Sequence, residues 1–225
     1  DKSVLENLHI SETFKTLLKP ENNITSNLNI EQYNHFRRRV IDCILATDMA
    51  KHVKHIGILR NKLETYNIKN GENVEKLINN ENSKKIYESK QTILSFSIHC
   101  CDLSSPAKNA KIYDEWVDRV FLEFFNQGDI EKNNNLPVTI LCDRNTTDIV
   151  NAQIGFINFA VKPTFECLVK IFPNVEEYYL NVKKNLKRYE VKFEVQKKQK
   201  EKEIKKEKEK EKEKEKEKEK GKGKE

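Results

Sequence analysis

His99 and Asp102 stand three residues apart in the stretch "SIHCCDLSSP", residues 97–106. On a helix that spacing puts an imidazole and a carboxylate on one face, where both are metal-ligating groups. His52 and His55 repeat the spacing in "KHVKH". No HExxH, CxxC or EF-hand loop lies nearby to complete a coordination shell. The same spacing belongs equally to surface residues or internally satisfied ones, and spacing alone does not separate them. Gln153 is a third candidate, an amide set in the apolar run "NAQIGFINFAVKPTFE". A buried amide needs partners, and its donor–acceptor fork suits either a nucleobase edge or a structural hydrogen bond. Cys100 and Cys101 read as small core residues rather than thiolate ligands.

The elements that must carry these residues are helical. "NIEQYNHFRRRVIDCILATDM" places Phe36, Val40, Ile41, Ile44 and Leu45 on one stripe, with Asn29 and Gln32 spaced as a capping box at its start. His52 and His55 fall on what reads as the continuation of that helix. In "IYDEWVDRVFLEFFNQGD" the residues Tyr113, Trp116, Val117, Val120, Phe121, Phe124 and Phe125 form a second stripe, with Gly128 as its terminator. The Gln153 run is apolar on most sides and reads as a buried helix, bent or interrupted at Pro163. No alternating strand is flanked by turn signals. The expected fold class is all-α, a compact multi-helix bundle. Asn-rich connectors are expected at "KPENNITSN" and "NIKNGENVEKLINNENS", and a long loop after Gly128, over residues 131–150.

Charge separates the chain into two parts. Of a net +6, the segment Lys197–Glu225 carries +5, from 15 lysines against 10 glutamates. The remainder is nearly neutral, so the basic balance describes a tail and excludes a nucleic-acid face on the folded part. The domain division expected is 1–195 folded and 196–225 a Lys/Glu-rich tail, disordered or frayed helix. Its alternation puts like charges at i,i+4 and opposite charges at i,i+3, so pair terms partly cancel. Five cysteines with no CxxC pair read as reduced, buried thiols of a cytosolic compartment. No run of 18 apolar residues exists. The first residues, "DKSVLENLHI", carry no initiator methionine and read as mid-protein text.

Six ordered stretches carry a family resemblance: "SVLENLH", "VIDCILATDMAKH", "HCCDLSSPAK", "WVDRVFLEFFNQGDIE", "LPVTILCDR" and "AQIGFINFAVKPTFE". Together, over residues 1–190, they resemble the C-terminal part of the class I cyclic-nucleotide phosphodiesterase catalytic domain. The resemblance implies two divalent cations, one zinc-type and one magnesium or manganese, held through HNxxH, HD and one late aspartate. Only the late one, Asp102, lies in this chain; the other motifs and a general-acid histidine are expected upstream. Glu6 and Thr47 would orient metal-bound waters. Gln153 would hydrogen-bond the purine, with Phe156 and Val120 sandwiching the base. Met49, Leu103, Tyr113 and Phe124 would line the pocket, flanked by the 131–150 loop.

Three departures bear on the substrate. His99 stands where some members carry lysine, which argues against a ligand role. Leu8 replaces a histidine of the usual SVLENHH. Ser105 replaces the asparagine of DLSNP, and its shorter side chain weakens an adenine-selecting contact. With the wording of the later motifs, this resembles the cGMP-selective branch, so cGMP is expected over cAMP. The resemblance implies a cytoplasmic catalytic domain whose parent is compatible with membrane tethering upstream, and with a homodimer. The expectation for the chain alone is inactivity, completed by the N-terminal half of its own domain. Two other readings compete: a truncated, non-catalytic nucleotide-binding or regulatory module, and an interaction protein acting through its charged tail.

Overall fold

The structure, a computed structural model, describes residues 2–78 and 83–222, and of 83–87 and 210–222 the backbone alone. The elements are α1 (Val4–Leu17), α2 (Ile30–Leu45), α3 (His52–Thr65), the single turn α4 (Glu75–Ile78), α5 (Ser83–Asp102), α6 (Ala110–Asn133), α7 (Ile149–Phe156), α8 (Lys162–Ile171) and α9 (Glu176–Lys222). Among the described residues there is no strand, only an isolated bridge between Lys69 and Glu72. The all-α expectation holds. The chain divides into two compact units, residues 1–120 with 156–183, and residues 121–155 with 184–225.

The first unit is built on helix–helix packing. Ile56, Leu59 and Leu63 of α3 recur at helical spacing and meet Phe96 and Cys100 of α5 and Cys167 and Ile171 of α8. Ile68 and Leu77 close the same cluster from the connector. Burial pushes the Cys100 thiol well above its ordinary range and raises that of Cys167, so both behave as small apolar groups. Cys101, in contrast, is exposed, which corrects the expectation that the cysteines are buried.

Asn29 starts α2 as its spacing requires. Its side-chain oxygen accepts from the Gln32 amide at 2.9 Å, and the Gln32 side chain accepts from the Asn29 amide at 3.0 Å. The apolar stripe of α2 is only half-buried, against α1 and α5. Gln91 of α5 fixes that second contact: it accepts from the Arg39 guanidinium at 3.1 Å and donates to the Arg39 carbonyl at 3.3 Å. α2 does not continue through His52. It ends at Leu45, and a 3-10 turn at Met49–Lys51 redirects the chain into α3. The cause is local: Asp48 caps the turn by accepting from the Ala50 amide at 2.9 Å.

The Gln153 run is interrupted just ahead of Pro163. A π-helical turn, Ile157–Val161, separates α7 from α8, and Pro163 sits in the first turn of α8, where a missing N–H costs little.

In the second unit, Gly128 does not end α6. The helix runs on to Asn133 and closes on Asn135, which has φ 56°. The Leu136 amide donates to the Glu131 carbonyl at 2.9 Å and the Asn135 amide to the Lys132 carbonyl at 3.0 Å, a left-handed C-terminal closure. Gly128 is needed for another reason: a Cβ there would lie 1.9 Å from the Cys142 carbonyl oxygen. The connector is therefore shorter than expected, residues 134–148, and it is tied to α6. Lys132 pairs with Asp143 at 2.8 Å, Arg144 pairs with Asp129, and Glu131 accepts from both the amide and hydroxyl of Thr139. The expected tail is helical as far as described: α9 runs unbroken to Lys222, and residues 223–225 lie outside the described residues.

Candidate functional site

Asp102 closes α5, anchored by its neighbours. Leu103 is buried directly after it, and Pro106 and Ala107 are buried in the following 3-10 turn, so the chain cannot slide at this point. The carboxylate itself is exposed. Desolvation nonetheless raises its pKa, the nearby His9 counteracts this, and Glu6 adds to it as a like charge. Glu6 and His9 of α1 thus lie near enough to Asp102 for their charges to act on it. His9 escaped the sequence reading, although Glu6-x-x-His9 has the same one-face spacing that singled out His99 and Asp102.

Thr47 is half-buried, and its hydroxyl donates to the Ile44 carbonyl at 2.8 Å as α2 ends. Beside it, Asp48 accepts from the Ser3 hydroxyl at 2.7 Å, and Lys51 reaches both the Ser3 hydroxyl at 2.7 Å and the Asp48 carboxylate at 3.3 Å. The Ser3 hydrogen bond is the first cause holding the Asp48 carboxyl below its ordinary range, followed by the Ala50 amide. Met49 opens the next turn and is exposed.

The remaining expected residues fall as follows. Tyr113 is completely buried, Ser105 and Phe156 are half-buried, and Val120 is exposed. In the second unit Gln153 is buried on α7, and Phe124 is half-buried in a T-shaped pair with Phe121. Trp116, Val120 and part of the aromatic stripe face outward, while Tyr113, Val117 and Phe121, four apart, are the buried members. A cavity of about 440 Å³ in the first unit, lined by Arg38, Asp42, His55, Phe96 and His99 among others, contains none of the expected nucleotide-binding residues.

His99 does not pair with Asp102. Its Nε2 lies 2.8 Å from His52 Nδ1 in the interior, and burial lowers the pKa of both rings. The shared hydrogen bond thus joins one histidine of each spaced pair across two helices. Among the described residues no three His, Cys, Asp or Glu side chains converge as a metal shell. Asp102 offers one carboxylate, and the residues present do not by themselves fit a two-cation site. No helix among the described residues is long and apolar enough to cross a membrane.

Residues 1–182 match the family described as 3′5′-cyclic nucleotide phosphodiesterase, and the chain belongs to that family. It is 34% identical over 191 residues to the rat (Rattus norvegicus) 3′,5′-cyclic-AMP phosphodiesterase 4C, covering 84% of this chain and 34% of that protein. With the Caenorhabditis elegans "Probable 3′,5′-cyclic phosphodiesterase pde-1" it shares 36% over 175 residues, 76% of this chain and 24% of the relative. Among solved structures, the phosphodiesterase domain of the RhoPDE fusion protein from the choanoflagellate Salpingoeca rosetta superposes with a TM-score of 0.73 at 28% identity. That match covers 88% of this chain and 59% of the other. The structure of LmjPDEB1 in complex with IBMX gives a TM-score of 0.72 at 25% identity, over 86% and 54% of the two chains. The chain thus spans about a third or less of the length of these curated relatives.

Proposed function

We propose that this chain supplies the aspartate and nucleotide-binding part of an enzyme that hydrolyses a 3′,5′-cyclic nucleotide to the 5′-monophosphate, ending its signal. In that reaction a water oxygen adds to phosphorus, the bond from phosphorus to O3′ breaks, and the proton of the water ends on O3′. The observation that carries the reading is the match of residues 1–182 to the phosphodiesterase family, with Asp102 closing α5. Gln153 holds the purine edge, Phe156 and Val120 flank the ring, and Met49, Leu103, Tyr113, Phe124 and Ser105 shape the pocket. Glu6 and Thr47 orient water. The folded portion is 1–195, the 196–225 segment is an appendage, and the domain works in the cytoplasm.

Two divalent cations are part of this reading for the intact protein. One carboxylate cannot hold two cations, so residues 1–225 alone are proposed to be inactive. For the substrate, Ser105 in place of asparagine favours cGMP, whereas a relative named for cyclic AMP pulls toward cAMP. Turnover of both nucleotides by the intact protein, with unsubstituted and Asp102→Ala forms side by side, tests the whole. Loss of turnover in Asp102→Ala and a higher kcat/KM for cGMP are expected. Robust Asp102-dependent turnover by residues 1–225 alone overturns the proposed inactivity, and a higher kcat/KM for cAMP overturns the cGMP assignment.

A further inference from the structure

Ser3 breaks a local rule. It precedes α1 as its N-terminal cap, and its carbonyl accepts from the Asn7 amide at 2.9 Å as a cap should. A serine there ordinarily adopts extended backbone and spends its hydroxyl on the helix's own first-turn amides. Here Ser3 has φ 50° and ψ 50°, the left-handed region disfavoured for a residue with a Cβ, and its side chain makes no cap hydrogen bond. The hydroxyl instead donates across 45 residues to Asp48 at 2.7 Å and accepts from Lys51 at 2.7 Å. Asp48 in turn accepts from the Ala50 amide and from Lys51. A strained backbone and a forfeited cap persist only when surrounding contacts over-determine them, and such sites cluster where geometry matters for chemistry.

We propose that Ser3, Asp48 and Lys51 form a positioning lock that holds the Thr47–Met49 turn against the first turn of α1, and so fixes Glu6 and Thr47 relative to each other. Glu6 lies one turn into the helix that Ser3 begins, and Thr47 and Met49 flank Asp48. None of the three lock residues needs to touch the nucleotide; each acts through its neighbours. The inference rests on the phosphodiesterase reading of Glu6, Thr47 and Asp102.

The test uses the intact protein with Ser3→Gly, Asp48→Ala, Asp48→Asn, the Ser3→Gly/Asp48→Ala double variant and Asp102→Ala, reading kcat, KM and thermal midpoint. Glycine tolerates φ 50°, so Ser3→Gly relieves the strain while removing the hydroxyl. The lock predicts that Ser3→Gly lowers kcat about tenfold, the scale of losing an outer positioning contact, with KM and midpoint little changed. Asp48→Asn keeps one of the two acceptor oxygens that Ser3 and Ala50 use separately, and lowers kcat less than Asp48→Ala does. The double variant is no worse than Asp48→Ala, because both remove one linkage. An unchanged kcat in Ser3→Gly, or losses that multiply in the double variant, overturns the lock while leaving the phosphodiesterase reading in place. If Asp48→Ala fails to fold, the Ser3→Gly result decides alone. Turnover that survives Asp102→Ala, or its absence from the unsubstituted protein, overturns the reading beneath it.

Discussion

His52 Nδ1 and His99 Nε2 meet at 2.8 Å in the interior, 47 residues apart in the chain, on two rings that are each almost fully buried. One nitrogen must donate and the other accept, so the two rings cannot both be protonated at this contact. Burial first, and then the like charges of His52 and His55, push His99 down to about 4.

That depression sets a pH dependence. In the unfolded chain His99 takes up a proton near its ordinary 6.5, whereas in the folded protein it does so only near 4. Between those values the unfolded state binds more protons, so stability rises with pH across the window. It is complete above about 6.5 and is lost as pH falls toward 4, by roughly 3 kcal/mol at most for this ring. His52 and His55 are lowered too and act in the same direction. Thermal midpoints of the intact protein measured from about pH 7 to about pH 4.5 should fall, and His99→Asn should flatten the slope.

Asp102→Ala should remove turnover and keep the fold. Asp102 is exposed, and desolvation raises its pKa with Glu6 adding and His9 opposing, so loss of its charge should cost the fold little. An unchanged circular dichroism spectrum and thermal midpoint alongside lost turnover is the expected pair of results.

Gln153→Ala should weaken nucleotide binding by about 1–3 kcal/mol, the range for leaving a buried polar partner unpaired. Calorimetric titration of cGMP and of cAMP against both forms reads this directly. Equal affinity in the two forms assigns the amide to structure instead.

Gly128→Ala and Gly57→Ala should move stability in opposite directions. A Cβ at Gly128 would lie 1.9 Å from the Cys142 carbonyl oxygen, a backbone atom held by the ties between α6 and its connector, and the cost should be at least about 2 kcal/mol. At Gly57, inside α3, a Cβ meets nothing within 4 Å, so alanine should add about 0.5–1 kcal/mol through helix propensity. Chemical denaturation of both variants checks the sign.

Local physics was legible from the residues alone. Asn29 and Gln32 marked the start of α2 because a capping box is closed by atoms three residues apart. The helical class followed from periodicity, since burying one stripe is how such a chain forms a core. Asp102 and Gln153 were named through ordered motifs, which need no knowledge of how helices cross. Gly128 was misread because its type suggests a helix end, while the carbonyl that excludes a Cβ there comes from Cys142, beyond the end of the helix.

What the tertiary structure alone decided is which polar groups meet. Spacing coupled His52 to His55 and His99 to Asp102, each along one helix face. Packing of α3 on α5 joined His52 to His99 instead, and the fold drew the Ser3 hydroxyl away from its own helix to Asp48. Periodicity specifies which face of a helix is buried. It does not specify where along a neighbouring helix that face comes to rest, and the fit of ridges and side chains across the whole core sets that register.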